Sequence, residues 1–206
     1  MDDIVKQALA KWPNVPHCYG WLALDARGVW RMRDEAAQRS GVPGDKLTNP
    51  ALVGFINRNY LADERGCWYF QNGPQRVYVN LEATPFIART DPAQGFLLHT
   101  GQPLGAPEQV FMTASGGIVL RAGQQLAQLD DRDAAQLLQA MELDGSPVAD
   151  DELMAWLDGG SGRADQPGQL ALRWQGRQIA VERLAADEAP RRFGYVQRPD
   201  RLSTAK

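Results

Sequence analysis

Residues 66–82, GCWYFQNGPQRVYVNLE, constrain the fold of this chain more than any other segment. Two runs in which apolar and polar residues alternate flank the turn-forming sequence N-G-P-Q, a pattern that predicts a β-hairpin. A loop with an even number of residues places the apolar positions of both strands on one side of the sheet. The predicted core face consists of Trp68, Phe70, Val77, Val79 and Leu81.

The opposite face of this hairpin is the candidate site for a ligand or a partner. It carries Tyr69, Arg76, Tyr78 and Glu82, a mixture of aromatic and charged residues that is typical of recognition surfaces. Two other interpretations are open. Tyr–Tyr and Arg–Glu are also ordinary cross-strand pairs on a solvent-facing sheet. Alternatively, a second layer of the protein covers this face and buries the tyrosines.

The same local signals recur along the chain. Further hairpins are predicted over residues 21–32, 109–120 and 170–184, and single strands over 84–89 and 124–129. Helices are predicted after Asp2 or Asp3, after Asn49, after Asp130 or Asp131, and after Asp150 or Asp151, because each cap precedes apolar residues at helical spacing. Residues 33–48 and 91–108 are predicted to be irregular, and residues 159–168, GGSGRADQPG, to form a surface loop.

The order of these elements is hairpin, helix, hairpin, and then hairpin, helix, hairpin. We therefore predict a hairpin-rich α+β fold with two similar ββαββ repeats and an N-terminal helix. The predicted boundaries are 1–92 for the N-terminal repeat, 93–185 for the C-terminal repeat and 186–206 for a polar tail. Because residue identity between the halves is slight, an α+β domain with unrelated hairpins is the alternative.

Composition excludes several classes of protein. The chain has 206 residues and a formal net charge of -3, and its basic residues are scattered, so we predict no nucleic-acid partner. No apolar run approaches the roughly 18 residues of a membrane span, and the acidic start MDDIVKQALAKW is unlike a signal peptide. The two cysteines, Cys18 and Cys67, are far apart and suit a reduced protein. We predict a cytoplasmic location without membrane association.

Residues that commonly carry catalysis are few. The two histidines, His17 and His99, form no metal-binding motif with each other. His17 and Cys18 are sequence neighbours, and neighbours in an extended segment point to opposite faces. No catalytic, metal-binding or cofactor-binding residue is predicted. The carboxylates Asp25, Asp63 and Glu64 are the candidates for an alternative enzymatic function, although Asp before Gly is also a common turn former.

Four motifs of the N-terminal half resemble those of uncharacterised proteobacterial families of unknown function. They are D-A-R-G-V-W at 25–30, L-V-G-F-I at 52–56, D-E-R-G-C-W at 63–68 and V-N-L-E-A-T-P-F at 79–86. The resemblance implies a two-repeat α+β fold and a part in signal transduction. It implies no catalytic residues, because none is established in those families.

These observations favour a non-catalytic module that binds a small-molecule ligand or a protein, and the resemblance implies a part in signal transduction. The alternative is a small carboxylate-dependent enzyme that acts in a cleft between the two repeats. The sequence does not specify the ligand, the partner or the oligomeric state.

Overall fold

The computed structural model describes residues 1–159, 168–185 and 187–201. Its helices are α1 (Asp3–Lys11), α2 (Glu35–Ser40), α3 (Pro50–Arg58), α4 (Ala134–Leu138), α5 (Asp150–Leu157) and α6 (Glu188–Phe193), with a 3-10 helix at Asp131–Asp133. The first strands are β1 (Cys18–Leu24), β2 (Trp30–Met32), β3 (Asp45–Lys46), β4 (Tyr60–Ala62), β5 (Trp68–Asn72), β6 (Gln75–Leu81), β7 (Phe86–Asp91) and β8 (Gly95–Leu98). They are followed by β9 (Gln109–Thr113), β10 (Ile118–Ala122), β11 (Gln125–Leu129), β12 (Met141–Leu143), β13 (Ser146–Pro147), β14 (Leu170–Trp174) and β15 (Arg177–Leu184). The α+β prediction is confirmed.

The chain forms two compact units, and each unit is discontinuous in sequence. Unit 1 comprises the described parts of Met1–Pro85, His99–Gln102 and Pro190–Lys206. Unit 2 comprises the described parts of Phe86–Leu98 and Pro103–Ala189. The division into repeats at 1–92 and 93–185, with a tail at 186–206, stays a prediction.

Unit 1 is built on a six-stranded sheet with the strand order β3-β2-β1-β6-β5-β4. Strand β1 is antiparallel to β2 and parallel to β6. In the β5–β6 hairpin, Phe70 lies opposite Val77. The predicted sharing of one face by these residues is therefore confirmed, because directly opposed residues of an antiparallel pair point to the same side.

Unit 2 is built on a nine-stranded sheet with the order β13-β12-β14-β15-β9-β10-β11-β7-β8. Strand β15 is parallel to β9, and β9 is antiparallel to β10. The predicted hairpins over 109–120 and 170–184 are both present, and the second turns at Gln175 and Gly176, which have φ values of 47° and 76°. The core of this unit centres on fully buried residues such as Phe96, Leu120 and Leu172.

The two sheets share a strand order. In unit 1 it is β3-β2-β1-β6-β5-β4, and the corresponding run in unit 2 is β11-β10-β9-β15-β14-β12. In each run, the first strand of one hairpin is parallel to the last strand of another. A helix directly precedes the outer strand in both cases, α3 before β4 and α4 before β12. This correspondence agrees with the predicted ββαββ repeats without establishing a duplication.

Two segments predicted to be irregular contain regular structure. Residues 33–48 include α2 and β3, and residues 91–108 include β8. Helix α2 was not predicted because it has a single buried residue, Ala37, and so no apolar periodicity. Its caps are nevertheless clear: the Asp34 side chain accepts a hydrogen bond from the Ala37 N–H, and Gly41 has a φ of 71°. Most of the predicted surface loop at 159–168 lies outside the described residues.

Candidate functional site

The face of the hairpin that carries the tyrosines is covered. Tyr69 lies opposite Tyr78 in the β5–β6 ladder, and their exposed fractions are 6% and 1%. Together with the buried Cys67 they form a small apolar cluster, against which Tyr19, Leu61 and Val196 pack. Of the interpretations left open by the sequence, the structure therefore agrees with the one in which a second layer of the protein covers this face and buries the tyrosines.

Part of that layer comes from the end of the chain. Val196 forms a parallel bridge with Cys67, and its N–H donates to the Gly66 carbonyl at 3.0 Å. The Leu81 N–H donates to the Gln197 carbonyl at 2.8 Å. The predicted polar tail thus contains a segment that pairs along the edge of the tyrosine face. A Cβ atom at Gly66 would meet the Gly194 carbonyl oxygen, so glycine is required for this close approach.

Polar groups converge on the tyrosines from three places in the chain. We call this group the tyrosine–arginine cluster; its members are His17, Tyr19, Asp63, Arg65, Tyr69, Arg76 and Tyr78. The Tyr19 ring stacks on the Tyr78 ring, with centroids 4.7 Å apart and an angle of 4° between the planes. The guanidinium groups of Arg65 and Arg76 lie over the Tyr78 and Tyr69 rings, 5.6 and 4.7 Å from the centroids.

Asp63 organises one side of the tyrosine–arginine cluster. Its Oδ2 accepts hydrogen bonds from the Tyr78 hydroxyl at 3.0 Å and from Arg65 Nη2 at 2.8 Å. Its Oδ1 accepts from the backbone N–H groups of Arg65 and Cys67 at 3.0 and 2.9 Å. Burial opposes ionisation of this carboxyl, but the hydrogen bonds from Arg65, Cys67 and Tyr78 outweigh burial and lower its pKa. Asp63 is therefore ionised at neutral pH and compensates the charge of Arg65.

Arg76 occupies the other side of the cluster. Its guanidinium lies over the Tyr69 ring, 4.7 Å from the centroid. Within the described part of the chain, no carboxylate forms an ion pair with Arg76. The side chain is half-buried. This is an oriented cation whose remaining donors are available to a group from outside.

His17 lies at the exposed rim of the cluster. Its imidazole meets the Tyr78 ring edge-to-face, with centroids 5.7 Å apart. Desolvation, followed by the positive charges of Arg76 and Arg65, lowers its pKa, so the ring is neutral at pH 7. A neutral imidazole offers one donor and one acceptor beside the two guanidinium groups.

The structure brings together three of the four predicted site residues, Tyr69, Arg76 and Tyr78. The fourth, Glu82, lies beyond the end of β6, where its Oε2 accepts a hydrogen bond from the Ala26 N–H at 3.1 Å. Sequence reasoning missed His17, Tyr19, Asp63 and Arg65 as neighbours of the tyrosines. The D-x-R-G turn is a signal for the Asp63–Arg65 pair, but no local signal indicates that β1 pairs with β6.

The carboxylates proposed for enzymatic chemistry hold turns. Asp25 Oδ1 accepts from the N–H groups of Arg27 and Val29, and its Oδ2 accepts from Arg31 Nε at 2.9 Å. Asp63 has the equivalent contacts in its own turn, and Glu64 is exposed. Carboxylates occupied in this way, with a lowered pKa at Asp63, are poorly suited to act as general acids.

Among the described residues, no group of three or more His, Cys, Asp and Glu side chains is arranged to hold a metal ion. Within those same ranges, no helix is long and apolar enough to cross a membrane.

Comparison with known proteins assigns the family. The family model DUF2944, described as "Protein of unknown function (DUF2946)", matches residues 1–200. The chain belongs to this family. The predicted resemblance to families of unknown function is thereby confirmed.

Two further comparisons place few constraints on the chain. No curated protein matches the sequence. The crystal structure of a DUF1285 family protein from Silicibacter pomeroyi DSS-3 is similar at 16% sequence identity, with a TM-score of 0.48 over 88% of this chain and 96% of that chain.

Proposed function

We propose that this DUF2944 member is a non-catalytic binding module whose tyrosine–arginine cluster accepts an anionic group of a small ligand or a protein partner. The observation that carries the proposal is the Arg76 guanidinium, which is stacked on Tyr69 and lacks an ion-pair partner within the described residues. Most of the other polar groups around it already have partners. Arg65 is paired with Asp63, and Tyr78 donates its hydroxyl proton to the same carboxylate.

The geometry at Arg76 suits recognition of a carboxylate or a phosphate. A guanidinium presents a planar fork of donors that bonds such groups at two points. Stacking on Tyr69 orients the fork in advance, which reduces the conformational entropy lost on binding. Because the side chain is half-buried, its charge is less screened than that of a fully exposed arginine.

The repeat origin of the two units, the cellular location and the class of partner are also inferred. We infer that the two units derive from one ββαββ repeat, which the shared strand order supports. We infer a reduced, cytoplasmic protein from the two free cysteines, Cys18 and Cys67, and a net charge of -3 argues against nucleic acid as the partner. A part in signal transduction rests on the family resemblance alone.

The test is a titration followed by nuclear magnetic resonance. A peptide of six glutamates serves as the anionic probe, and Arg76→Gln is compared with wild type and with Arg39→Gln. Arg39 is an exposed residue of α2 outside the cluster, so the control removes the same charge from the same unit. We expect the peptide to shift the signals of residues 17–19 and 65–78 in wild type and in the control. In Arg76→Gln, the Kd should rise about tenfold, which corresponds to a loss of roughly 1.4 kcal/mol of binding free energy.

Equal affinity in Arg76→Gln and Arg39→Gln would show that the peptide responds to overall charge, and the site assignment would be abandoned. Replacing Tyr69 and Tyr78 with alanine is a poor test of binding. Both side chains are buried, and removing a buried aromatic side chain costs about 3–5 kcal/mol of folding free energy. Arg76 is the residue whose replacement separates binding from folding.

A further inference from the structure

A polar cleft lies on the same face of the unit 1 sheet as Glu82, apart from the tyrosine–arginine cluster. Its volume is about 400 Å³, within the range of small-molecule sites. Its charged and amide side chains are Asp25, Arg31, Arg33, Gln38, Asn80, Glu82 and Arg198. All seven residues belong to unit 1.

Most of the charges in the polar cleft are already satisfied. Arg31 Nε is 2.9 Å from Asp25 Oδ2. Arg33 donates from Nε to the Val42 carbonyl at 3.2 Å, and Glu82 accepts the Ala26 N–H. These contacts fix the walls of the cleft and use the carboxylates that would otherwise neutralise an additional cation.

Two groups in the cleft are not satisfied. Among the described residues, none hydrogen-bonds or pairs with the Arg198 guanidinium or with the Asn80 side-chain amide. The backbone on both sides of Arg198 is nevertheless anchored, because the Gln197 carbonyl accepts the Leu81 N–H at 2.8 Å and Pro199 is buried. Asn80 is held opposite Ala23 in the parallel β1–β6 pair. Both groups therefore extend from fixed backbone into the cleft, with no partner in the described part of the chain.

We propose that the polar cleft binds a small organic monoanion, with the carboxylate of the ligand on Arg198 and Asn80 and its apolar body against Ala23, Val42 and Pro43. These three residues also line the cleft. This site is independent of the binding function proposed for the tyrosine–arginine cluster.

Charge balance decides between a carboxylate and a phosphate. Three guanidinium groups and two carboxylates line the cleft, which leaves a single positive charge for the ligand to neutralise. A phosphate monoester carries a charge of about -1.5 to -2 at pH 7, and its excess would be repelled by Asp25 and Glu82. An apolar wall also favours a ligand with a hydrocarbon part over a small hydrated inorganic ion.

Sodium benzoate is a suitable probe, with benzamide as its neutral counterpart and inorganic phosphate as the dianionic competitor. The side-chain amide signal of Asn80 is followed by nuclear magnetic resonance in wild type, Arg198→Gln, Arg39→Gln and Arg76→Gln. Arg198 is exposed, so its replacement leaves the remaining spectrum in place as a check on folding. We expect saturable shifts at Asn80 with a millimolar Kd in wild type, Arg39→Gln and Arg76→Gln, and a Kd about tenfold higher or more in Arg198→Gln.

Three results would overturn the inference. The first is the absence of a saturable shift at Asn80 in wild type, which removes the site. The second is an equal response to benzamide, which removes the role of the anion. The third is equal or tighter binding of phosphate, which removes the assignment to a monoanion. Arg76→Gln alters only the tyrosine–arginine cluster, and Arg198→Gln alters only the polar cleft. The failure of the binding function proposed for the cluster is therefore distinguishable from the failure of the site proposed in the cleft.

Discussion

The titration of a single residue, His17, reports on the electrostatics of the tyrosine–arginine cluster. Its imidazole is partly desolvated, and the nearest charges that act on it include the guanidinium groups of Arg76 and Arg65. Both effects disfavour the imidazolium form, whereas the Asp63 carboxylate favours it. The folded protein therefore binds this proton less readily than the unfolded chain. Stability from the neutral ring is complete above about pH 6.5 and declines as the pH falls toward the lowered pKa.

Replacing Arg76 with glutamine should raise the pKa of His17. The substitution removes the cation with the larger influence and keeps a polar side chain of similar length. The imidazole signals of wild type, Arg76→Gln and Arg39→Gln can be followed by nuclear magnetic resonance between pH 4 and pH 8. Arg39→Gln should leave the pKa where it is in wild type. An unchanged pKa in Arg76→Gln would mean that the two side chains are farther apart in solution than the structure places them.

At the residue scale, the sequence predicted which side chains of a hairpin lie on the same face of the sheet. It did not predict the contacts that these side chains make with other parts of the chain. Alternation placed Tyr69 and Tyr78 on one face, and the register confirms that they are opposed. The contact of Tyr19 with Tyr78 depends on the parallel pairing of β1 with β6, which shifts register between Cys18 and Leu22. A pairing between strands so distant in sequence leaves no local signal, because nothing in the spacing of either strand specifies its neighbour.

Among the elements, three hairpins are closed by the same type of turn. In the turns at Asp25–Val29, Asp63–Cys67 and Thr113–Gly117, the N–H of the fourth residue donates to the carbonyl of the first. That fourth residue is a glycine with a φ between 76° and 80° in every case. An oxygen of the first side chain accepts the N–H of the fifth residue at 2.8 to 2.9 Å. The chemistry of D-x-x-G and T-x-x-G accounts for the two hairpins of this kind that were predicted, over 21–32 and 109–120, whereas the hairpin of β4 and β5 was not predicted.

Gly66→Ala and Gly116→Ala form a matched pair of variants that separates turn strain from docking. Each places alanine at a φ near +80°, which costs roughly 1–2 kcal/mol. At Gly116 a Cβ meets nothing within 4 Å, whereas at Gly66 it meets the carbonyl oxygen of Gly194. We expect Gly66→Ala to lose more folding free energy in urea than Gly116→Ala. In a Cys18→Ser background, only Gly66→Ala should speed thiol labelling of Cys67, which is fully buried.

Equal losses of stability and equal labelling rates in the two variants would show that the contact with Gly194 contributes nothing. The comparison is clean because the two turns have the same hydrogen bonds and differ in what lies beside the glycine. Cys67 is a suitable reporter because Val196 forms a bridge with it. Detachment of the segment that contains Val196 would break this bridge and open access to the Cys67 thiol.

For the whole molecule, the sequence predicted the class of fold but not the route of the chain. Hairpins are closed by short loops, so local patterns identify them. The discontinuity of unit 1 is set by residues that lie far apart along the chain, His99–Gln102 and the described part of Pro190–Lys206. Tyr195 is buried within a segment whose composition is otherwise polar. Burial of one or two side chains does not change the average composition of a segment, which is why the sequence indicated only a tail.

Ending the chain after Phe193 should destabilise unit 1 and leave the strands of unit 2 protected. The truncation removes the burial of Tyr195, the Val196–Cys67 bridge and the hydrogen bond from Leu81 to Gln197. Hydrogen exchange with mass spectrometry measures the consequence region by region. Peptides covering β5 and β6 should exchange faster than in the full chain, and peptides covering β9, β10 and β11 serve as the internal control. Equal acceleration in both sets would indicate that the two units unfold as one cooperative body, whereas no change in β5 and β6 would mean that the docked segment is dispensable for unit 1.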